Sequence, residues 1–201
     1  MLSTLLLLVA AGAADPPAFE TELERHLDEA LRAFEQRHYL SFEQIRSQIE
    51  RDLEQLPDVL RGEPLVALHL VGTARAWLDG DEAGLRAGFR GLRAVSPGFQ
   101  LPEGWSEGDE RVERLYREAV AAGPGREARL PTHLVVDGRM ASDRLPLERA
   151  TVVQVRNPRG SWTTWYVEPG GPSAALLAAQ AAAGGLPEEP AAPVPVPAVS
   201  P

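Results

Sequence analysis

Apolar and polar positions follow two rhythms along this chain, and the change of rhythm divides it. From 17 to 37, "PAFETELERHLDEALRAFEQR" sets Phe19, Leu23, Leu27, Ala30, Leu31 and Phe34 at steps of three and four. That is the spacing of one helix face, and Pro16 and Pro17 suit a helix start. "SFEQ" at 41–44 has the capping-box pattern, Ser41 with Gln44 three residues on. Phe42, Ile45, Ile49, Leu53 and Leu56 follow as a second stripe, which Pro57 ends. A short connection between the two stripes predicts an antiparallel helix hairpin. "PLVALHLVGTARAWLD", from Pro64, is apolar almost all round, so it predicts a central, buried helix. Gly80 ends it and Asp81 caps the next helix, whose buried stripe is Leu85, Phe89, Leu92 and Val95. A fifth helix is expected over 107–121, with Val112, Leu115, Tyr116 and Ala119 on one side, before "GPGREARLP" breaks the pattern.

From 132 the period is two. "THLVVDG" reads as a strand running into an Asp-Gly turn, and "ATVVQVRNPRGSWTTWYVEPGG" as two strands joined at Asn157 to Gly160. In the last strand Trp162, Thr164 and Tyr166 share one face, and Thr163, Trp165 and Val167 the other. So small a β unit lacks independent stability and is expected to pack on the helices. "SAALLAAQAAAGG" at 173–185 is a marginal helix, and "LPEEPAAPVPVPAVSP" has the composition of a disordered, polyproline-biased tail. The expected class is α+β, mainly α: two antiparallel helix hairpins and a closing helix, a small antiparallel β unit and a disordered tail. The expected divisions are 1–14, 15–124, 129–170 and 171–201.

The first of these divisions reads as an export signal. "MLSTLLLLVAAGAAD" holds a short apolar run followed by small residues, as in a secretory signal peptide cleaved after Ala13 or Ala14. The run is too short to span a bilayer, so no transmembrane anchor is expected and the location is periplasmic or secreted. The net charge of −9 argues against nucleic acid or an anionic lipid surface as partner. Every basic side chain is Arg; there is no Lys and no Cys. Disulfides, thiolate metal sites and a Cys nucleophile are therefore excluded.

Enzyme motifs are missing: no HExxH, GxSxG, P-loop or GxGxxG after a strand. His26, His38, His69 and His133 are spread along the chain and read as helix-surface or strand-edge residues, so no metal site and no cofactor are expected. The carboxylates of "EGWSEGDERVE" read as caps and a solvated face. Two sets could serve a partner. Arg86, Arg90 and Arg93 lie at i, i+4 and i+7 opposite the Leu85/Phe89/Leu92 stripe. They form either a basic ridge for an acidic segment or a solvated face in which Glu82 pairs with Arg86. Trp105, Trp162, Trp165 and Tyr166 form an aromatic set. Since Trp162 and Trp165 point to opposite faces, one packs inward, and the other is either an exposed anchor or covered by the 173–183 segment.

"WLDGDEAGLRAGFRGLRAVSPGF", residues 77–99, resembles a tetratricopeptide repeat, a unit of about 34 residues in two helices. Gly80 and Asp81 fall at its inter-helix turn, Phe89 at the aromatic position of its second helix and Pro97 at its closing Pro. Leu85 and Leu92 stand where that repeat has small residues, which makes the stretch repeat-like. With the "PGFQLP" that follows and the helix "ERVERLYREA", residues 20–121 resemble exported repeat-like proteins of deltaproteobacterial type. "LVVDGRMASDRLPLERATVVQV" resembles the PEGA-type surface module through "VDG" and "LPL". The resemblance implies protein–protein contacts in the cell envelope, with no catalytic residue and no cofactor. The expected role is a non-catalytic adaptor or structural accessory for one or more envelope proteins. The alternative is a module that recognises glycan or peptidoglycan through exposed tryptophans.

Overall fold

A computed structural model describes residues 21–102, 104–105, 109–119, 126–127, 134–140, 144–146 and 148–171. The expected signal peptide, Pro16, Pro17, Phe19, His133 and the 172–201 tail lie outside the described residues.

The helices are α1 (Glu22–Glu35), α2 (Tyr39–Asp52), α3 (Gly62–Leu78), α4 (Glu82–Val95) and α5 (Glu110–Glu118). The start of α1 is later than the prolines suggested. Thr21 Oγ1 accepts from the Glu24 N–H at 3.2 Å, and the Glu24 carboxylate accepts from the Thr21 N–H at 2.9 Å. This reciprocal cap satisfies two helix-end donors. The capping box expected at Ser41 does not form, because α2 already begins at Tyr39 with His38 as its uncapped N-cap. The cause is a tight reversal: Arg37 N–H bonds to Phe34 O at 2.9 Å and His38 N–H to Ala33 O at 2.8 Å. Arg37 takes φ +60° to allow it. The second hairpin repeats this turn with Gly80 at φ +69°, Gly80 N–H on Trp77 O and Asp81 N–H on Ala76 O. That paired closure is the Schellman pattern. Asp81 then caps α4 by accepting from the Ala83 N–H at 3.0 Å.

Two apolar clusters hold the helices. Leu27, Phe34, Phe42, Ile49, Leu68 and Val71 join α1, α2 and α3. Ala76, Leu85, Phe89, Leu92, Val112 and Leu115 join α3, α4 and α5. Helix α3 contributes to both, which is why its sequence is apolar all round.

The strands are β1 (Arg126–Glu127), β2 (Leu134–Val136), β3 (Arg139–Met140), β4 (Arg144–Leu145), β5 (Thr151–Arg156) and β6 (Trp162–Val167). β3-β2-β5-β6 form an antiparallel sheet, and β1 pairs with β4. Asp137 and Gly138 have φ +47° and +72°, the paired positive angles of a type I′ hairpin turn. The outer edge of β6 is closed by the chain leaving α2: Leu56 and Trp162 exchange backbone bonds of 2.8 and 2.7 Å, and Thr164 N–H donates to Leu53 O at 2.8 Å. An edge paired in this way offers no template for association.

The sheet packs on the helices. Val152 belongs to the cluster shared by α1, α2 and α3. Gln154, fully buried, accepts from the Leu60 N–H at 3.0 Å and donates to Thr164 Oγ1 at 3.0 Å. Ala150 N–H donates to Ala87 O of α4 at 3.0 Å.

Candidate functional site

The most concentrated polar chemistry lies where the β2–β3 turn meets α3. Asp137 serves three donors: the His69 Nε2–H at 3.1 Å, Arg149 Nη1 at 2.5 Å and the Val152 N–H at 2.8 Å. The His69 side chain is 0% exposed, and those of Asp137 and Arg149 are 8% and 11% exposed. Burial pushes the Asp137 carboxyl up, but the His69 bond, the His69 and Arg149 charges and the Val152 amide outweigh it. They hold the carboxyl below the usual carboxylate range. His69 Nδ1 has no hydrogen-bond partner. Gly91 of α4 backs that atom so closely that a Cβ there would lie 2.8 Å from it. The Tyr166 ring covers His69 edge-on at 5.5 Å. Burial pushes the Tyr166 phenol well above its ordinary range, so it stays neutral. The His–Asp pair joins sheet to helix.

His69 is therefore a core residue, not the helix-surface residue expected. His26 is the second correction. It is buried, and its Nδ1 lies 2.6 Å from Asp52 Oδ2 while Arg25 Nη2 lies 2.9 Å from Nε2. An arginine can only donate, so Nε2 accepts and Nδ1–H donates, joining the start of α1 to the end of α2. His38 is exposed.

The arginine ridge of α4 is engaged by its own chain. Arg86 faces Glu118 at 3.8 Å, and Arg90 donates to Glu148 O at 3.4 Å. Arg93 donates to Tyr116 O at 3.1 Å and lies over the Tyr116 ring at 4.5 Å. The expected Glu82–Arg86 pair is replaced by two pairs between helices, because α5 lies alongside: Glu82 meets Arg114 at 3.8 Å. Phe89, at the aromatic position of the repeat likeness, is fully buried against Tyr116, while Pro97 is exposed in the turn after α4.

The tryptophans correct a further expectation. Trp105 is 3% exposed and packs on Phe34 at 4.7 Å, so it is core and not a surface anchor; its Nε1–H has no acceptor. Trp162 packs against the α1–α2–α3 cluster, and Trp165 lies on the opposite sheet face. Both are half-buried, so neither is an exposed anchor. The exposed large apolar residues are Tyr39, Leu40 and Met140, none of which lies on an apolar stripe that would have flagged it.

A concave site forms between α2, α3 and β6. This cleft of about 340 Å³ has Ile49, Leu53, Leu68 and Val71 in its walls, and Arg46 and Arg75 line it as well. Arg75 bonds Asp79 and Glu43, each at 2.6 Å, and Arg46 pairs with Glu43 and Glu50. Gly72 lets the Tyr166 ring close one end; a Cβ there would meet it at 2.3 Å. Apolar walls bordered by a few oriented polar groups are what ligand and peptide clefts share.

No protein-family model, curated protein or solved structure matches this chain. Among the described residues, no group of three or more His, Asp or Glu side chains is placed to hold a metal ion, and no helix is long and apolar enough to cross a membrane.

Proposed function

We propose that this chain is a non-catalytic adaptor or structural accessory of the bacterial cell envelope, exported by its N-terminal segment and repeat-like in its helical part. One observation carries the reading. The α2/α3/β6 cleft presents apolar walls with paired charges, and the His69 side chain is fully buried in the helix–sheet junction. Such a cleft suits an apolar side chain of a partner segment, with the Arg46 and Arg75 networks setting its register. The glycan alternative asked for an exposed Trp162 or Trp165, and both are half-buried.

Site-specific photo-crosslinking in intact cells tests this. A crosslinker at Arg46, beside the cleft, is expected to trap one defined protein that a crosslinker at the exposed Glu22 of α1 does not. Equal labelling from both positions, or retention on purified peptidoglycan without any protein adduct, refutes the adaptor reading.

A further inference from the structure

A second cavity, of about 290 Å³, opens where the β2–β3 turn meets the start of α3, and it has a chemistry of its own. Arg61, Gly62, Asp137, Gly138, Arg139 and Arg149 line it. Asp137 is spoken for by His69, Arg149 and the Val152 amide, so its charge is already balanced. The guanidinium groups of Arg61 and Arg139 have no hydrogen bond or ion pair among the described residues, and both residues are exposed. The chain as a whole is acidic. It carries 29 acidic residues against 20 arginines. Arg25, Arg46, Arg75, Arg111 and, within this cavity, Arg149 each find a carboxylate, as Arg61 and Arg139 do not. Two cations are left facing one hollow in a molecule with acid to spare.

The fold explains why they sit together. Gly138, at φ +72°, is pressed against Leu60 O and the Arg61 stem; a Cβ there would lie 2.8 Å from the carbonyl and 3.2 Å from Arg61 Cγ. The turn therefore sets Arg139, the next residue, beside Arg61 at the entry to α3. Gly62 opens that helix, and no side chain caps its end. Free first-turn amides add a favourable field for negative charge to the two guanidinium groups.

We propose that this cavity binds an oxyanion, a carboxylate or phosphate group held between the Arg61 and Arg139 guanidinium groups. Planar guanidinium donors suit either group in two-point geometry. Asp137 and Arg149 form the neutralised wall behind it and keep the two arginines from collapsing inward.

Calorimetric titration of the full chain at low ionic strength with inorganic phosphate, and separately with succinate, tests this. Low salt is needed because screening weakens exposed contacts. A saturable one-site heat is expected with at least one probe, and its thermal midpoint should rise with that probe. Phosphate alone identifies a phosphate ligand, succinate alone a carboxylate, and both a general oxyanion site; each supports the proposal. The R61Q/R139Q variant should lose at least about tenfold in affinity while melting like wild type, since it breaks no bond of the fold. R86Q/R114Q removes the same charge elsewhere and should bind as wild type does. No saturable heat with either probe overturns the proposal. So does equal weakening in both variants, which would mark a net-charge effect, or unchanged binding by R61Q/R139Q.

Discussion

Asp137 can be removed to measure what joins the sheet to the helices. D137A deletes one acceptor that serves three donors, two of them on side chains 0% and 11% exposed. Removing one partner of a buried ion pair costs about 3–5 kcal/mol. The left-handed backbone at φ +47° disfavours Ala by roughly 1 kcal/mol more. D137N separates these contributions. Asn tolerates that backbone and keeps an acceptor for the Val152 amide, so only the charge is lost, at about 2 kcal/mol. For a chain of this size each kcal/mol moves the midpoint by about 2–4 °C. Thermal unfolding followed by far-UV circular dichroism should therefore show a fall of at least about 10 °C for D137A and about half that for D137N. The pH dependence fixes the sign. The native Asp137 carboxyl titrates below its ordinary value. Its contribution is thus fully present above the unfolded pKa, near about 4, and is lost as pH falls through the lower native value. The gap between wild type and D137N should be full at neutral pH and close below about pH 4. A D137A variant within about 1 kcal/mol of wild type, the worth of an exposed pair, refutes the interlock. A gap that stays constant into acid refutes its ionic part.

Further outcomes follow from packing and from side-chain pairing. G91A should destabilise by about 1–3 kcal/mol in urea titration despite the gain in helix propensity, because its Cβ would lie 2.7 Å from Ala150 O and 2.8 Å from the His69 ring. G98A, with nothing within 4 Å, should stay within about 0.5 kcal/mol of wild type. W105A should cost about 3–5 kcal/mol as a core truncation, whereas W105F should be far milder, since the indole N–H it removes has no acceptor. R86A should cost no more than about 1 kcal/mol, since its pair with Glu118 is long and exposed. R93A should cost more, through the lost Tyr116 contacts.

What could be read from the sequence was what neighbours in the chain decide. The stripes of α3 and α4, the described part of the α1 stripe, the Gly80–Asp81 turn, the Asp-Gly hairpin and the Asn157–Gly160 turn form where the local pattern put them, whereas the second stripe stops early: α2 ends at Asp52, and Leu53 and Leu56 bond the edge of β6 instead. The first hairpin's turn was not legible at Arg37, because nothing in an arginine announces a left-handed residue; only the closure onto Ala33 and Phe34 requires it. The misassigned residues were those whose partners are distant in sequence. His69 meets Asp137 and His26 meets Asp52 across the fold, and Arg86 turns from Glu82 to Glu118 because α5 lies beside α4. Trp105 follows Gly104 outside any stripe, so periodicity gave no sign of its burial. One signal for His69 was present: a helix apolar on every side must bury whatever polar residue it carries, and a buried polar side chain needs a partner.

That same helix shows why the sheet and the hairpins are mutually dependent. A two-hairpin stack normally buries one stripe of each helix and leaves the others wet, and short arrays of this kind are marginal. α3 has no wet stripe to leave. Leu65, Leu68, His69, Val71, Thr73, Ala74 and Ala76 are all buried, and the arc holding Gly72 faces the sheet. Tyr166 fills that arc so tightly that Gly72 has no room for a Cβ. In return the sheet gains its edge partner from Leu53 to Leu56, and the buried Gln154 side chain gains a donor in the Leu60 N–H. Removing the strands would expose a fully buried His and take away its Asp137 partner. Removing the helices would leave a four-stranded sheet with Val152, Gln154 and Tyr166 facing water. Each half thus satisfies what the other cannot. The α2/α3/β6 cleft exists only because both halves contribute a wall.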